Sequence, residues 1–421
     1  MKKTWIIILS CVALAAVVMG CSMVYKSMQE SPEQSPSESA TTSPGGSPSQ
    51  SPTVSPSGSP EDTAKPTTDP QSPQTPVLDD NGIFSDYYAD AQKLLGLMSL
   101  EEKVGQVLLA RCPAGGEVDA IKQYYLGGYV LFGRDFDGYT KKQISDQNAI
   151  DQEASKIPLL FAVDEEGGTV VRVSSNPNMA PHKFLSPQDV FAQGGMDGIK
   201  QDAIEKAGVL SALGLNVNLA PVSDVSTDPN DFIYDRSFGK DAGQTAEFVK
   251  TLVTAQQGQG VGATLKHFPG YGNNVDTHTG IAIDNRSYES FQNSDFVPFK
   301  AGIDAGAHSI LVSHNIVNCM DSERPSSLSK KVHDILRGEL GFTGVIMTDD
   351  LAMDAITQYT NGSSPAVEAV LAGNDLLLLT DYQTGHALVL QAVKDGTIPM
   401  ETLDKAVTRV LSWKYALGLF S

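Results

Sequence analysis

Basic residues are scarce in this chain. Only 30 Lys and Arg stand against 50 Asp and Glu in 421 residues, a formal net charge of −20. A surface of that sign repels polyanions, which argues against nucleic acid or an anionic membrane face as partner. Cysteine is scarcer still, with four in all, and no Cys/His cluster has the spacing of a zinc site. No metal or other cofactor is therefore expected. Cys11 and Cys21 lie at the extreme N-terminus; Cys112 and Cys319 read as buried free thiols, with a disulfide as the alternative.

What is present falls into three materials. Residues 1–20 carry Lys2 and Lys3, then an apolar run to Met19 and a small residue before Cys21. That is the layout of a secretory signal. The ending Val18-Met19-Gly20-Cys21 resembles a bacterial lipobox, which would make Cys21 the lipidated first residue of the mature chain. An uncleaved transmembrane anchor is the competing reading. Either way the bulk of the protein is expected outside the cytoplasm, held to the membrane only by its anchor.

Residues 21–78 are dominated by Ser, Pro, Thr and Gln without apolar periodicity. Such a composition cannot bury enough surface to fold and predicts an extended, disordered linker. Roughly 50 residues at about 3.1 Å each in polyproline II reach on the order of 150 Å.

Residues 79–421 are different again. Ser99 and Glu102 form a capping-box pattern before a short helix. Apolar runs then recur near Val107 and at residues 128–132, 158–163, 215–219, 261–265, 309–312, 344–347 and 375–379. Between them lie amphipathic stretches such as 246–257, 296–305 and 403–417. Eight continuous apolar strands alternating with helices predict an α/β fold, a single (β/α)8 barrel of TIM type.

In such a barrel the C-terminal strand ends form the active face. The third run ends in Asp164-Glu165-Glu166-Gly167-Gly168, with Arg172 beyond, and the fourth leads to Asp224 and then Asp235-Arg236-Ser237-Phe238-Gly239. The fifth ends in Lys266-His267-Phe268-Pro269-Gly270-Tyr271-Gly272, followed by Asp276-Thr277-His278. The sixth ends in Ser313-His314-Asn315, the seventh in Thr348-Asp349-Asp350 and the eighth in Thr380-Asp381. Carboxylates, amides and cations converging on one face suit a polyhydroxylated ligand such as a sugar. Asp350 and Glu166 read instead as helix caps, a common duty for acids after strands. The dense, Gly-rich stretch from Lys266 to Gly280 suits a site on a movable loop.

These motifs, in this order, resemble glycoside hydrolase family 3, and more narrowly its NagZ-type β-N-acetylglucosaminidases. The resemblance implies a retaining exo-acting enzyme that removes terminal N-acetylglucosamine from peptidoglycan-derived glycans. It assigns Asp349 as nucleophile, His278 with Asp276 as the acid/base dyad, and Asp164, Arg172, Arg236, Lys266 and His267 as sugar-binding residues. A His suits acid/base work because imidazole titrates near neutrality and a neighbouring carboxylate fixes its tautomer. Two features depart from the usual pattern. Tyr271 stands where many relatives have a second His, and the loop before Asp276 is about one residue shorter. The chain also stops just after the barrel, whereas β-glucosidases of the family usually take their acid/base Glu from a following domain. Phosphorolysis, a β-glucosidase-like hydrolase and a non-catalytic sugar-binding lipoprotein are the alternative readings. A monomer is expected.

Overall fold

The computed structural model describes Leu78 and residues 80–274, 277, 280–360 and 364–420. The signal, Cys21, the linker up to Val77, and both Asp276 and His278 lie outside the described residues.

Eight parallel strands form one sheet: β1 Leu108–Arg111, β2 Gly128–Leu131, β3 Leu160–Val163, β4 Val217–Asn218, β5 Gly262–Phe268, β6 Ser309–Val312, β7 Val345–Thr348 and β8 Leu377–Leu379. Strand β8 pairs with β1, and a bridge between Met347 and Leu376 joins β7 to the start of β8. The sheet therefore closes on itself, the barrel that the eight apolar runs predict. Differences from the sequence reading are local. The fourth strand is only two residues long, although Asn216 and Leu219 still donate their amides to Phe161 and Val163. The fifth runs on to Phe268, so Lys266 and His267 belong to the strand itself. A small parallel pair, Ile283–Asp284 with Ile316–Val317, was not foreseen.

Strand alternation explains both the core and the site. Successive side chains face opposite sides of a sheet, so residues two apart share a side. Leu109, Val130, Leu160, Ala162, Val217, Leu311, Val345 and Met347 share one cluster inside the barrel. Their outward neighbours, including Tyr129, Phe161, Ile310 and Ile346, pack against the helices. Two residues beyond Leu109, Val130, Ala162, Thr264 and Met347 come Arg111, Phe132, Asp164, Lys266 and Asp349. The same parity that fills the barrel thus delivers these five side chains to its mouth.

The outer helices follow their sequence signals. Ser99 accepts from the Glu102 amide while Glu102 accepts from that of Ser99, and the helix Leu100–Gln106 starts there. The helices Ala242–Gln257, Phe296–Asp304 and Met400–Ala416 cover the three amphipathic stretches. At the N-terminal end of the barrel, Leu78, Phe84 and Tyr88 join the interior cluster together with Trp413. Among the described residues no helix is long and apolar enough to cross a membrane.

Candidate active site

The mouth of the barrel holds a chain of ion pairs that runs across the ends of β3, β4 and β5. Lys266 Nζ sits between two carboxylates, 2.7 Å from Asp164 Oδ1 and 2.5 Å from Glu166 Oε1. Glu166 in turn takes a fork from Arg236, with Nε at 3.0 Å and Nη2 at 2.8 Å. Burying such groups is costly unless each charge is paired and hydrogen-bonded, and here each is. Burial alone would push the Glu166 carboxyl up; Lys266 and Arg236 outweigh it and hold its pKa far below the usual carboxylate range. Glu166 is therefore an anion with two cations fixed on it, not a helix cap as the sequence suggested. Its role depends on Arg236, seventy positions later, which no local pattern announces.

Arg236 Nη2 also lies 3.2 Å from His267 Nε2. A guanidinium can only donate, so this ring nitrogen must accept and the proton sits on Nδ1. That nitrogen is 2.8 Å from Asp224 Oδ2, an acceptor. The two contacts thus fix the His267 ring in one orientation and one tautomer. Asp224 is fully buried and also accepts the amides of His267 and Tyr271, at 3.0 and 2.7 Å. Sequence reasoning placed Asp224 at a strand end without giving it a task. The Lys266–His267 and Phe268–Pro269 peptide bonds are cis.

Glu165, between the two site acids, has a separate duty. Its carboxylate accepts the amides of Arg172, Val173 and Ser174 and the Ser174 hydroxyl, so it folds the loop after β3. That loop brings Arg172 to 3.6 Å from Asp164 Oδ2, the loosest of the ion pairs. The Arg172 guanidinium also lies 5.7 Å from the centre of the Phe132 ring, and Arg111 lies 4.6 Å from the same ring. The Nε atoms of both arginines are buried without a partner among the described residues. Arg111 went unnoticed in the sequence, although its position two residues after Leu109 is the signal that finds it.

Asp349 follows β7, its amide bonded to the Val312 carbonyl at 3.1 Å. Its neighbourhood is set by His314 and Asp350. His314 Nε2 is 3.0 Å from the Asp350 carbonyl, so this nitrogen carries a proton and donates it. The Asp350 carboxylate accepts the Thr380 amide and hydroxyl, at 3.3 and 2.6 Å, and the Ala352 amide at 3.0 Å. It staples β7 to β8, a structural role as expected, though not by capping a helix. The structure thus gathers Asp164, Arg172, Arg236, Lys266 and His267 into one connected array, with Asp349 on the same inward register. Among the described residues no group of three or more His, Cys, Asp or Glu is arranged to hold a metal ion. Cys112 is a buried free thiol, but Cys319 is free and exposed, against the expectation that both would be buried.

The model of the glycosyl hydrolase family 3 N-terminal domain matches residues 99–413. The chain belongs to glycosyl hydrolase family 3. It is a glycoside hydrolase on a closed family 3 barrel. A β-hexosaminidase of Xanthomonas campestris pv. campestris is 34% identical over 315 residues, covering 71% of this chain and 92% of its own length. Among solved structures, a family 3 β-N-acetylglucosaminidase from a Paenibacillus species superposes with a TM-score of 0.72 at 30% identity. That match covers 77% of this chain and 64% of the Paenibacillus protein, so this chain spans just under two thirds of it. A β-glucoside phosphorylase also superposes, with a TM-score of 0.70 at 25% identity over 80% of this chain and 62% of its own. The ion-pair array therefore sits on the active face of a glycosidase barrel.

Proposed function

We propose that the protein is a retaining exo-β-N-acetylglucosaminidase acting on peptidoglycan-derived glycans. The observation that carries this reading is the array Asp164–Lys266–Glu166–Arg236–His267 at the mouth, together with Asp349 on the same inward register. Its fixed cations and carboxylates offer donors and acceptors in set positions, as recognition of sugar hydroxyls requires. The names of the similar hexosaminidases support the choice of N-acetylglucosamine.

In this mechanism the Asp349 carboxylate attacks the anomeric carbon and the bond to the leaving oxygen breaks. His278, protonated and paired with Asp276, gives that oxygen its proton. A water then attacks the glycosyl–Asp349 ester, losing its proton to His278 as the Asp349 carboxylate leaves. Asp349→Ala should abolish release of nitrophenol from its N-acetyl-β-glucosaminide, and a fluorinated sugar should label Asp349 in the parent enzyme. Substantial turnover by Asp349→Ala would overturn the assignment.

A second reading is phosphorolysis, favoured by the superposition with a β-glucoside phosphorylase. A His acid/base in place of a carboxylate repels an attacking phosphate less. Formation of sugar 1-phosphate in phosphate buffer would select it over hydrolysis. We further propose a monomer tethered outside the cytoplasm through lipid on Cys21; metabolic labelling with a palmitate analogue, lost in Cys21→Ala, tests that anchor.

A further inference from the structure

Tyr271 sits on the turn between the sugar-binding strand end and Thr277, and its surroundings give it a task. The turn that carries it is fixed from outside. Arg286 donates Nη2 to the Gly270 carbonyl at 3.0 Å and holds Asp284 and Asp295 with its remaining nitrogens. A side chain at Gly270 would meet Asp295 Oδ1 at 2.2 Å, and one at Gly272 would meet Arg286 at 2.5 Å. Both glycines also have positive φ, 123° and 55°, so only glycine fits this turn.

On that turn the Tyr271 ring is buried at 1% exposure, edge-on to Phe232 and to His267 at 5.0 and 5.1 Å. Its amide is bonded to Asp224, the carboxylate that also sets the His267 tautomer. Its hydroxyl lies 2.6 Å from Thr277 Oγ1, and Thr277 is wholly buried. Burial, and next the negative charge of Asp349, push the Tyr271 hydroxyl well above its ordinary pKa, so it keeps its proton and lies within the field of the nucleophile. In the sequence Thr277 is the residue between Asp276 and His278.

We infer that Tyr271 is a positioning residue that holds the acid/base loop through its bond to Thr277 and ties it, through Asp224, to the sugar-binding His267. This rests on the reading of Asp276 and His278 as the acid/base pair. A phenylalanine at 271 keeps the ring and leaves the buried Thr277 hydroxyl without its partner, a loss that shows as about a ten- to hundredfold effect.

The test uses Tyr271→Phe, Thr277→Val, the double variant and His278→Ala in the full-length enzyme. The substrate is the dinitrophenyl N-acetyl-β-glucosaminide, whose leaving group needs no acid, with and without azide. Azide is already an anion, so it can displace Asp349 from the glycosyl ester and form the glycosyl azide without a base. The expected result for Tyr271→Phe is a kcat lowered about ten- to hundredfold, recovery with azide together with glycosyl azide product, and a Ki for N-acetylglucosamine unchanged within about twofold. Thr277→Val should behave alike and the double variant no worse than either single one, since the two share one interaction. A fall in kcat without azide recovery, or a parallel rise in Ki, would reduce Tyr271 to a packing residue and overturn the inference. If Tyr271→Phe does not fold, Thr277→Val alone decides by the same criteria. Azide recovery in His278→Ala separates the two levels: its absence would overturn the acid/base reading and the latch with it, whereas recovery there but not in Tyr271→Phe and Thr277→Val would overturn the latch alone.

Discussion

The two ends of this barrel carry nearly the same chemistry and use it for opposite ends. At the N-terminal end, Asp375 accepts from Arg337 at 2.5 Å, from Arg409 at 3.1 Å and from the Ile346 amide at 2.9 Å. Asp80 extends the set to Arg409 at 3.5 Å and takes the Tyr88 hydroxyl at 2.6 Å. This is an array of carboxylates and guanidiniums much like Glu166 with Lys266 and Arg236 at the other end. The difference lies in what stands beside it. Leu78, Phe84 and Trp413 close the lower end of the barrel with apolar surface, and that array ties Asp80 and Asp375 to Arg409 beneath it. At the mouth Arg111 and Arg172 keep unmatched donors beside Phe132, and the charges are set for a ligand. Neither paired charges nor unmatched donors mark a site by themselves, since Arg409 Nε and Trp413 Nε1 at the lower end are also buried without a partner among the described residues. What sets the upper array apart is its place at the C-terminal strand ends beside Asp349.

The largest effect expected from this contrast is at Glu166. Glu166→Gln keeps the shape but removes the charge that Lys266 and Arg236 share. Breaking a buried, hydrogen-bonded pair costs about 3–5 kcal/mol, and at the mouth that should fall on sugar binding and turnover, lowering kcat/KM about 10²- to 10³-fold. A thermal melt alongside the kinetics distinguishes the outcomes: full activity with a lowered Tm would make the upper array as purely structural as the lower. Asp375→Asn is the mirror experiment. It should cost a similar 3–5 kcal/mol of unfolding free energy in urea and leave kcat/KM of the folded enzyme unchanged.

Much of this contrast is written in the sequence, though not evenly. The barrel is legible because eight apolar runs alternate with amphipathic helical stretches, and parity along each run brings Asp164, Lys266 and Asp349 to the mouth. The same parity would have found Arg111. Glu166 and Asp224 were not legible in role. A carboxylate after a strand looks the same whether it caps a helix or binds a guanidinium from a distant loop, and only the fold brings Arg236 to one and His267 to the other. Tyr271 was visible as a departure from the family pattern, but its partner Thr277 could be named only once the turn was built. Cys319 was misread because a lone cysteine's usual burial says nothing about a loop on the surface.

Arg172 tests the mouth more gently. Its 3.6 Å contact with Asp164 is the longest in the array and its side chain is about one third exposed. Solvent screens such a pair, which is worth about 1 kcal/mol or less. If that contact were its whole role, Arg172→Gln should change kcat/KM less than about tenfold and leave Tm nearly untouched. A loss as large as that of Glu166→Gln would show that Arg172 meets the substrate directly, which would set the mouth apart from the lower array.

The lower end should also be separable by pH. His308 packs against Phe84 and Trp413, and burial lowers its pKa from 6.5 to about 4. Between those values the unfolded chain binds a proton that the folded chain refuses, so stability is complete above pH 6.5 and declines as pH falls toward 4. At 1.36 kcal/mol per pKa unit the shift corresponds to about 3 kcal/mol. Asp151 and Asp295 act in the opposite sense over part of this range, since burial raises each to about 6. The useful quantity is therefore the difference in unfolding free energy between the parent and His308→Phe, taken at several pH values from 7 to 4. That difference should shift toward the variant as pH falls, whereas the pH profile of kcat/KM should be the same in both proteins. If the activity profile moved as well, the two ends of the barrel would be coupled, and the apolar closure at the bottom would not isolate them.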